Sequence, residues 1–338
     1  MARVAAGRLP PGASSSEPKP QDWEIWPGRA GRRPILLRKL HERFGRPGEE
    51  KLGERACPGL VGRCTTVSES SIAPAGPCRT GRVPFPVGPG LTIALSDLSI
   101  PQAVRILAES IKTPQRPPRP TTVGFLNMRN HVAARASLAL SEAFAKMDYV
   151  FADGVGLQIG RRLLGLPRFQ RVSGTDMVPA LLNDVAVTGC RVFLLGGTAQ
   201  LSGDAAMRLP GLFPGITISG YQHGYFDASE EAQLLDRINA SKSDLLLVGM
   251  GTPRQELWLL RNQASLEVRV VTCVGGLFHY WAGDLRRSPR ILIRAGFEWA
   301  GILLQQPHKW RIYTIDAIRF LISLAFKREP SSSDEPFF

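Results

Sequence analysis

Short apolar runs alternate with amphipathic helical stretches between residues 91 and 274. That alternation predicts an α/β fold, a mainly parallel sheet with helices on both faces. Two further observations support this class. Several of the apolar runs end directly in glycine-bearing turns, at Asp153-Gly154, Gly196-Gly197, Gly249-Met250-Gly251 and Gly275-Gly276, as strands feeding helices do. Residues 291–328 then read as consecutive helices with no strand between them, so a basic helical C-terminal appendage follows the sheet.

Residues 91–95 form a short strand. Residues 100–111 form an amphipathic helix with Ala103, Ile106, Leu107 and Ile111 on one stripe. A proline-rich link, 112–120, leads to a strand at 122–126. Residues 130–147 read as one alanine-rich helix, 149–151 as a strand ending at Asp153, and 156–164 and 175–187 as helices. Strands at 191–195, 216–220, 244–248 and 268–274 alternate with helices that run from the Gly196-Gly197 turn through Met207, over 229–240 and over 255–262. The result is a Rossmann-like sheet over 89–290, an appendage over 291–328 broken near Pro307, and a disordered tail over 329–338. Residues 1–88 are rich in Pro, Gly, Arg and Ser and show no sustained period. They read as a disordered segment, or as an upstream-extended gene start.

The formal net charge is +13, unevenly placed. Residues 1–90 hold 15 Lys+Arg against 8 Asp+Glu, residues 91–284 hold 18 against 16, and residues 285–338 hold 9 against 5. A near-neutral middle with basic ends excludes a nucleic-acid groove and suits an enzyme that touches an anionic surface through its ends. The five cysteines, Cys57, Cys64, Cys78, Cys190 and Cys273, have no metal-ligand spacing. With no signal peptide they read as reduced thiols. No apolar run approaches the ~18 residues of a spanning helix, so the expectation is a cytoplasmic protein, peripheral on the inner face of the plasma membrane. Assembly into a homo-oligomer is left open.

The chemistry-bearing residues sit at strand ends. After Leu245-Leu246-Leu247-Val248 comes Met250-Gly251-Thr252-Pro253-Arg254-Gln255-Glu256, in which Gly249 and Gly251 admit a ligand close to the backbone. Thr252 fits an N-cap and Pro253 a first helical position, and free N–H groups at such a start attract phosphate. On spacing alone this is either a phosphate site or an ordinary βα turn, since the third glycine of GxGxxG is replaced by Arg254. Further segments accompany it: Ala152-Asp153-Gly154-Val155-Gly156, Arg171-Val172-Ser173-Gly174-Thr175-Asp176, Cys190–Gly197, Val274-Gly275-Gly276-Leu277-Phe278 with Arg287-Ser288-Pro289, and Gly296-Phe297-Glu298-Trp299 with Gln306-Pro307. In this order and at these intervals the chain closely resembles the WecG/TagA/CpsF family of bacterial glycosyltransferases, from about Gly90 to Arg328.

The resemblance implies an inverting transfer of a sugar (N-acetylmannosamine, its uronic acid, or glucose). The sugar passes from a UDP-sugar to an undecaprenyl-diphosphate-linked acceptor, in cell-surface polysaccharide or exopolysaccharide assembly. It implies no cofactor and no metal, consistent with the lack of any Asp-x-Asp in the chain. It places the general base at Asp153, with Asp176 the other candidate and more plainly a helix cap. It implies that Asn127, Arg171 and Gln255 bind substrate. Gly196-Gly197 and Gly275-Gly276, each after an apolar strand, read either as openings for the nucleotide or as close helix–strand contacts, and Gly251 as an opening for a ligand. Glu256 reads as no more than a complement to the helix dipole. The chain departs from many relatives at Phe125, where they carry threonine, and at His279, where they carry aspartate. The basic run Arg286, Arg287, Arg290 and Arg294 reads as a clamp on the lipid diphosphate or as a solvated face. The stripe Trp310, Tyr313, Ala317, Phe320, Leu324, with Arg311, Arg319, Lys327 and Arg328, reads as a helix packed on the core or lying on anionic lipid. Two rivals remain: a non-catalytic membrane-associated scaffold with the same fold, and a nicotinamide-dependent oxidoreductase. The oxidoreductase would need a full GxGxxG after the first strand, where this chain has none.

Overall fold

The computed structural model describes residues 81–88, 90–294, 297–307 and 310–325. Residues 1–80, the tail 329–338, Lys327, Arg328 and three of the cysteines (Cys57, Cys64, Cys78) lie outside them. The central sheet has six parallel strands in the order β4-β3-β8-β7-β5-β6: β3 (Thr121–Leu126), β4 (Tyr149–Ala152), β5 (Arg191–Gly196), β6 (Thr217–Gln222), β7 (Leu245–Gly249) and β8 (Val270–Cys273). The register aligns Leu126 with Ala152, Leu195 with Val248, and Val248 with Cys273, so the carboxyl ends form one edge.

The strands are continuous apolar runs because both faces are buried. Leu245 and Leu247 belong to the core on one face, with α1 (Ile100–Lys112), α5 (Gly174–Ala186) and α6 (Ala199–Leu212). Leu246 and Val248 belong to the core on the other. There they meet α2 (Met128–Ala136), α3 (Leu138–Lys146), α4 (Val155–Leu163), α7 (Glu231–Ala240) and α8 (Arg254–Asn262). Burying each such leucine contributes about 1.5–3 kcal/mol.

Two expectations need correction. Residues 82–88 are not patternless. Arg82–Gly88 is a strand, β1, paired antiparallel with β2 (Leu91–Ser96), and Val83, Phe85 and Val87 alternate into the core. The hairpin takes β2 out of the parallel sheet, where the sequence reading had placed its first strand. Pro84 and Pro86 are tolerated within it because β1 is an edge. The expected single helix over 130–147 is two helices, broken at Ser137, whose hydroxyl accepts from Leu140 N at 3.3 Å and so starts α3.

After β8 come α9 (Leu277–Ala282), α10 (Arg290–Arg294), α11 (Glu298–Gln305) and α12 (Trp310–Ala325). Phe320 of α12 is fully buried against His131 of α2, ring edge to face at 4.9 Å. It also lies against Gly160 of α4, where an added Cβ would come 2.8 Å from the Phe320 ring. Burial lowers the His131 pKa to about 4, so this contact is made by a neutral imidazole. Among the described residues no helix is long and apolar enough to cross a membrane.

Candidate active site

The carboxyl edge of the sheet has two differently built halves. On the β4 side, Asp153 follows the strand directly and its N–H donates to Leu126 O at 2.7 Å, which fixes the carboxylate beside the end of β3. It is half-buried. Burial pushes its pKa up from 3.8 to about 6. The Ser173 hydroxyl and Arg171 oppose that rise, and the Glu298 and Asp176 carboxylates add to it. Such a group is ionised at neutral pH yet holds a proton more tightly than an ordinary aspartate, as a general base requires. The amino end of α4 opens right after it, from Gly154 at φ 83°. That of α5 follows Ser173, whose hydroxyl lies 2.8 Å from Thr175 Oγ1. Arg171 is exposed, and its backbone bridges to Ala152.

Asp176 is engaged rather than free: Arg287 Nη2 reaches its Oδ1 at 2.7 Å, and Arg287 Nε reaches Glu298 Oε1 at 3.2 Å. Arg287, expected at the lipid diphosphate, is thus the hub of an internal ion cluster. Asn127 caps α2, its Oδ1 accepting from Asn130 N at 2.9 Å. Phe125 is buried, with its ring 3.3 Å from where a Cβ on Gly174 would sit. It supports the start of α5 from below and brings no hydroxyl to the site.

On the β5-β7-β8 side the walls are backbone. Gly197 N donates to Gly249 O at 3.1 Å, and Gly224 N to Gly197 O at 2.9 Å. A Cβ at Gly196, whose φ is 143°, would overlap the Gly249 backbone, so the two strand ends touch only because residue 196 is glycine. The crevice has a volume of about 210 Å³, and its lining combines six glycines, Gly197 and Gly249 among them, with the side chains of Leu201, Tyr225, Met250, Arg254 and His279. Arg254 lies over the Tyr225 ring at 5.7 Å and donates to Gly224 O at 2.8 Å. His279 Nδ1 meets Asp284 Oδ2 at 3.1 Å. A more open hollow of about 530 Å³ by Arg119 and Lys146 lies at the amino ends of the strands, away from the edge where such sheets bind ligands.

Gln255 is buried, and its amide oxygen accepts from Gly251 N at 3.2 Å and Gly275 N at 3.1 Å. The sequence reading gave this amide to the substrate, whereas here it ties two glycine turns together. Glu256 is fully buried and goes beyond complementing a helix dipole. Its Oε1 accepts from Thr252 Oγ1 at 2.9 Å and Gln255 Nε2 at 2.8 Å, and burial raises its pKa. Thr252 therefore does not cap α8. Pro253 takes that position and the helix starts at Arg254. Glu298 and Ser173 carry no signal in the sequence that marks them as site residues. Only the fold brings them beside Asp153.

The Glycosyl transferase WecG/TagA/CpsF family matches residues 90–333. The chain belongs to this family. The N-acetylglucosaminyldiphosphoundecaprenol N-acetyl-beta-D-mannosaminyltransferase of Bacillus spizizenii is 32% identical over 189 residues, 56% of this chain and 70% of the relative. The proteins of the same name from Staphylococcus aureus strains MRSA252 and NCTC 8325 are 32% identical over 161 residues. That covers 48% of this chain and 63% of each relative, so the chain spans just under two thirds of their length. As a WecG/TagA/CpsF glycosyltransferase, the protein carries the six-stranded parallel sheet with helices on both faces, and its terminal helices follow the last strand.

Proposed function

We propose that this glycosyltransferase moves N-acetylmannosamine from a UDP-sugar to an undecaprenyl-diphosphate-linked acceptor, with inversion at the anomeric carbon. The relatives' names favour this sugar over its uronic acid or glucose. One observation carries the reading: a half-buried Asp153 with a pKa near 6, at the carboxyl edge that also holds a glycine-walled crevice. The UDP moiety lies in the crevice, where bare backbone lets the nucleotide approach closely. Asp153 takes the proton of the acceptor hydroxyl as its oxygen attacks the anomeric carbon. The bond from that carbon to the diphosphate oxygen breaks, and UDP leaves with the electron pair. The developing charge meets Arg171 and the N–H groups at the starts of α4 and α5. In this reading Asn127 and Gln255 act chiefly by shaping the edge. Asp176 and Arg287 serve the base rather than replace it.

The chemistry runs without a metal, because guanidinium and helix N–H donors carry the diphosphate and the sequence has no Asp-x-Asp. Asp153→Asn, assayed with UDP-N-acetylmannosamine and a short lipid-diphosphate acceptor, should lose roughly 10²–10⁴-fold in kcat while still binding UDP. Wild-type turnover in that variant would remove Asp153 as the base. Activity should persist in EDTA, and loss restored by Mg²⁺ or Mn²⁺ would reject the metal-free reading.

The appendage brings the enzyme to its lipid substrate at an anionic membrane. The face of α12 that does so is not the stripe expected from sequence, because Phe320 is buried in the protein and Leu324 packs beside it. The outward face carries Ile315, Ile318, Leu321 and Ile322, all exposed, with Arg311 and Arg319 among them. Apolar side chains flanked by guanidinium groups suit a helix lying in the headgroup region. Lys327 and Arg328 lie outside the described residues. The Arg290 side chain does too, although its backbone opens α10.

A further inference from the structure

The inner face of α11 is formed by Glu298, Gly301 and Gln305, spaced three and four residues apart and therefore stacked on one side of the helix. All three grip the same short segment of chain. Gln305 accepts from Arg286 N at 2.8 Å and donates to Arg286 O at 2.7 Å. Gly301 has no room for a Cβ against Ser288, whose hydroxyl donates to Glu298 O at 2.8 Å. Glu298 takes Arg287 Nε at 3.2 Å, and the same guanidinium reaches Asp176 at 2.7 Å and Thr175 Oγ1 at 3.3 Å in the first turn of α5. Thr175 Oγ1 is in turn 2.8 Å from Ser173 Oγ, and the Ser173 hydroxyl acts on Asp153 by lowering its pKa. The contacts run from the appendage to Ser173, at the start of α5.

We infer that Glu298 is a positioning residue for the base: through Arg287 it locks the appendage to the start of α5 and holds a second carboxylate facing Asp153. This rests on the reading of Asp153 as the general base. The charge count supports it. Two carboxylates, Asp176 and Glu298, share one guanidinium, so one negative charge is left over on the side of Asp153. Arg171 opposes it from an exposed position where water screens it. The Glu298 carboxylate is the larger of the two acidic contributions to the raised Asp153 pKa. Docking of the appendage thus adds to the basicity that burial gives Asp153, and undocking removes that addition. Because the appendage also carries the face assigned to lipid, proton abstraction becomes strongest when the terminal helices are seated.

The test is the pH dependence of kcat/KM for the full chain and four variants, Glu298→Gln, Glu298→Asp, Gln305→Ala and Asp153→Asn. In Glu298→Gln the acidic limb should move to lower pH and the plateau rate should fall, because the base is then weaker. Glu298→Asp should move the limb back toward the wild-type position. Gln305→Ala leaves every charge in place and loosens the docking. It should shift the limb in the same direction as Glu298→Gln, and it reads the same coupling if the Gln variant does not fold. A lowered plateau with an unmoved limb in both Glu298→Gln and Gln305→Ala, alongside an inactive Asp153→Asn, would overturn the inference and leave the base intact. A fully active Asp153→Asn would instead overturn the base reading, and with it the route by which Glu298 acts.

Discussion

The two halves of the carboxyl edge solve their problems with opposite materials. The β5-β7-β8 half is built from main chain: glycines in contact, N–H to C=O bonds between turns, and one buried amide bridging Gly251 and Gly275. The β4 half is built from charged and hydroxyl side chains: Asp153, Ser173, Asp176, Arg287 and Glu298, contributed by three separate stretches of chain. The first half gains rigidity and close approach and gives up titration. The second gains a tunable proton acceptor, and burying its charge carries a cost in stability. A ligand that is bound but not changed suits the first, and the group that must accept a proton suits the second.

Breaking the charged half should have the larger effect on rate and an opposite effect on stability. Asp153→Asn should cost roughly 10²–10⁴-fold in turnover. The folded-state pKa of Asp153 is raised to about 6 from 3.8, so its ionised form opposes folding above that pH. The variant should therefore melt higher than wild type at pH 7.5, and this gain should shrink as the pH falls through 6 toward 4. Thermal melts across that range would check it, and equal melting temperatures at pH 7.5 would contradict the burial argument.

Breaking the main-chain half should act on binding and folding together. Gly196→Ala places a methyl group into the Gly249 backbone at a φ of 143°. It should cost about 2–5 kcal/mol from strain and overpacking. Urea unfolding and UDP titration would report it, and a variant with unchanged stability and unchanged UDP affinity would show that the two turns can separate freely. Gln255→Leu keeps the bulk but leaves two half-buried N–H groups without their acceptor, for about 1 kcal/mol each. Its signature should be weaker UDP binding with an unshifted pH profile, the reverse of what Glu298→Gln should give.

The smallest effect on stability falls outside both halves. Ile318→Gln with Ile322→Gln changes exposed positions on α12, so the fold should shift by no more than about 0.5 kcal/mol. Sedimentation with anionic liposomes should nevertheless drop, while turnover on a water-soluble acceptor holds. Undiminished sedimentation would take the membrane role away from this face.

How much of this the sequence displayed follows the same division. The parallel sheet was legible because a strand buried on both faces is apolar without interruption, as in Leu245-Leu246-Leu247-Val248. Asp153 and the glycine turns were legible because the chemistry of a strand end is local. The ion cluster was not, since residues 153, 176, 287 and 298 are brought together by the fold alone, and nothing near Glu298 in the chain announces its partner. Gln255 showed its amide but not the two turns closing on it. The first strand was hidden by Pro84 and Pro86, although Val83, Phe85 and Val87 alternate around them. For α12 the sequence left core packing and lipid contact both open. It is apolar on two opposite sides, and periodicity alone marks a stripe without saying whether protein or solvent meets it.

Those two prolines have a consequence for how the chain behaves at high concentration. A strand at the margin of a hairpin exposes a row of N–H and C=O groups that a second chain can copy. Pro84 and Pro86 have no N–H to offer, and the Pro86 carbonyl is already taken by His131 Nε2 at 2.9 Å. The outer margin of β1 is therefore a poor template for intermolecular strand addition, although its inward residues are as apolar as any in the sheet. Substituting threonine or valine at 84 and 86 would satisfy every propensity rule for a strand. It would also restore the donors through which such molecules aggregate.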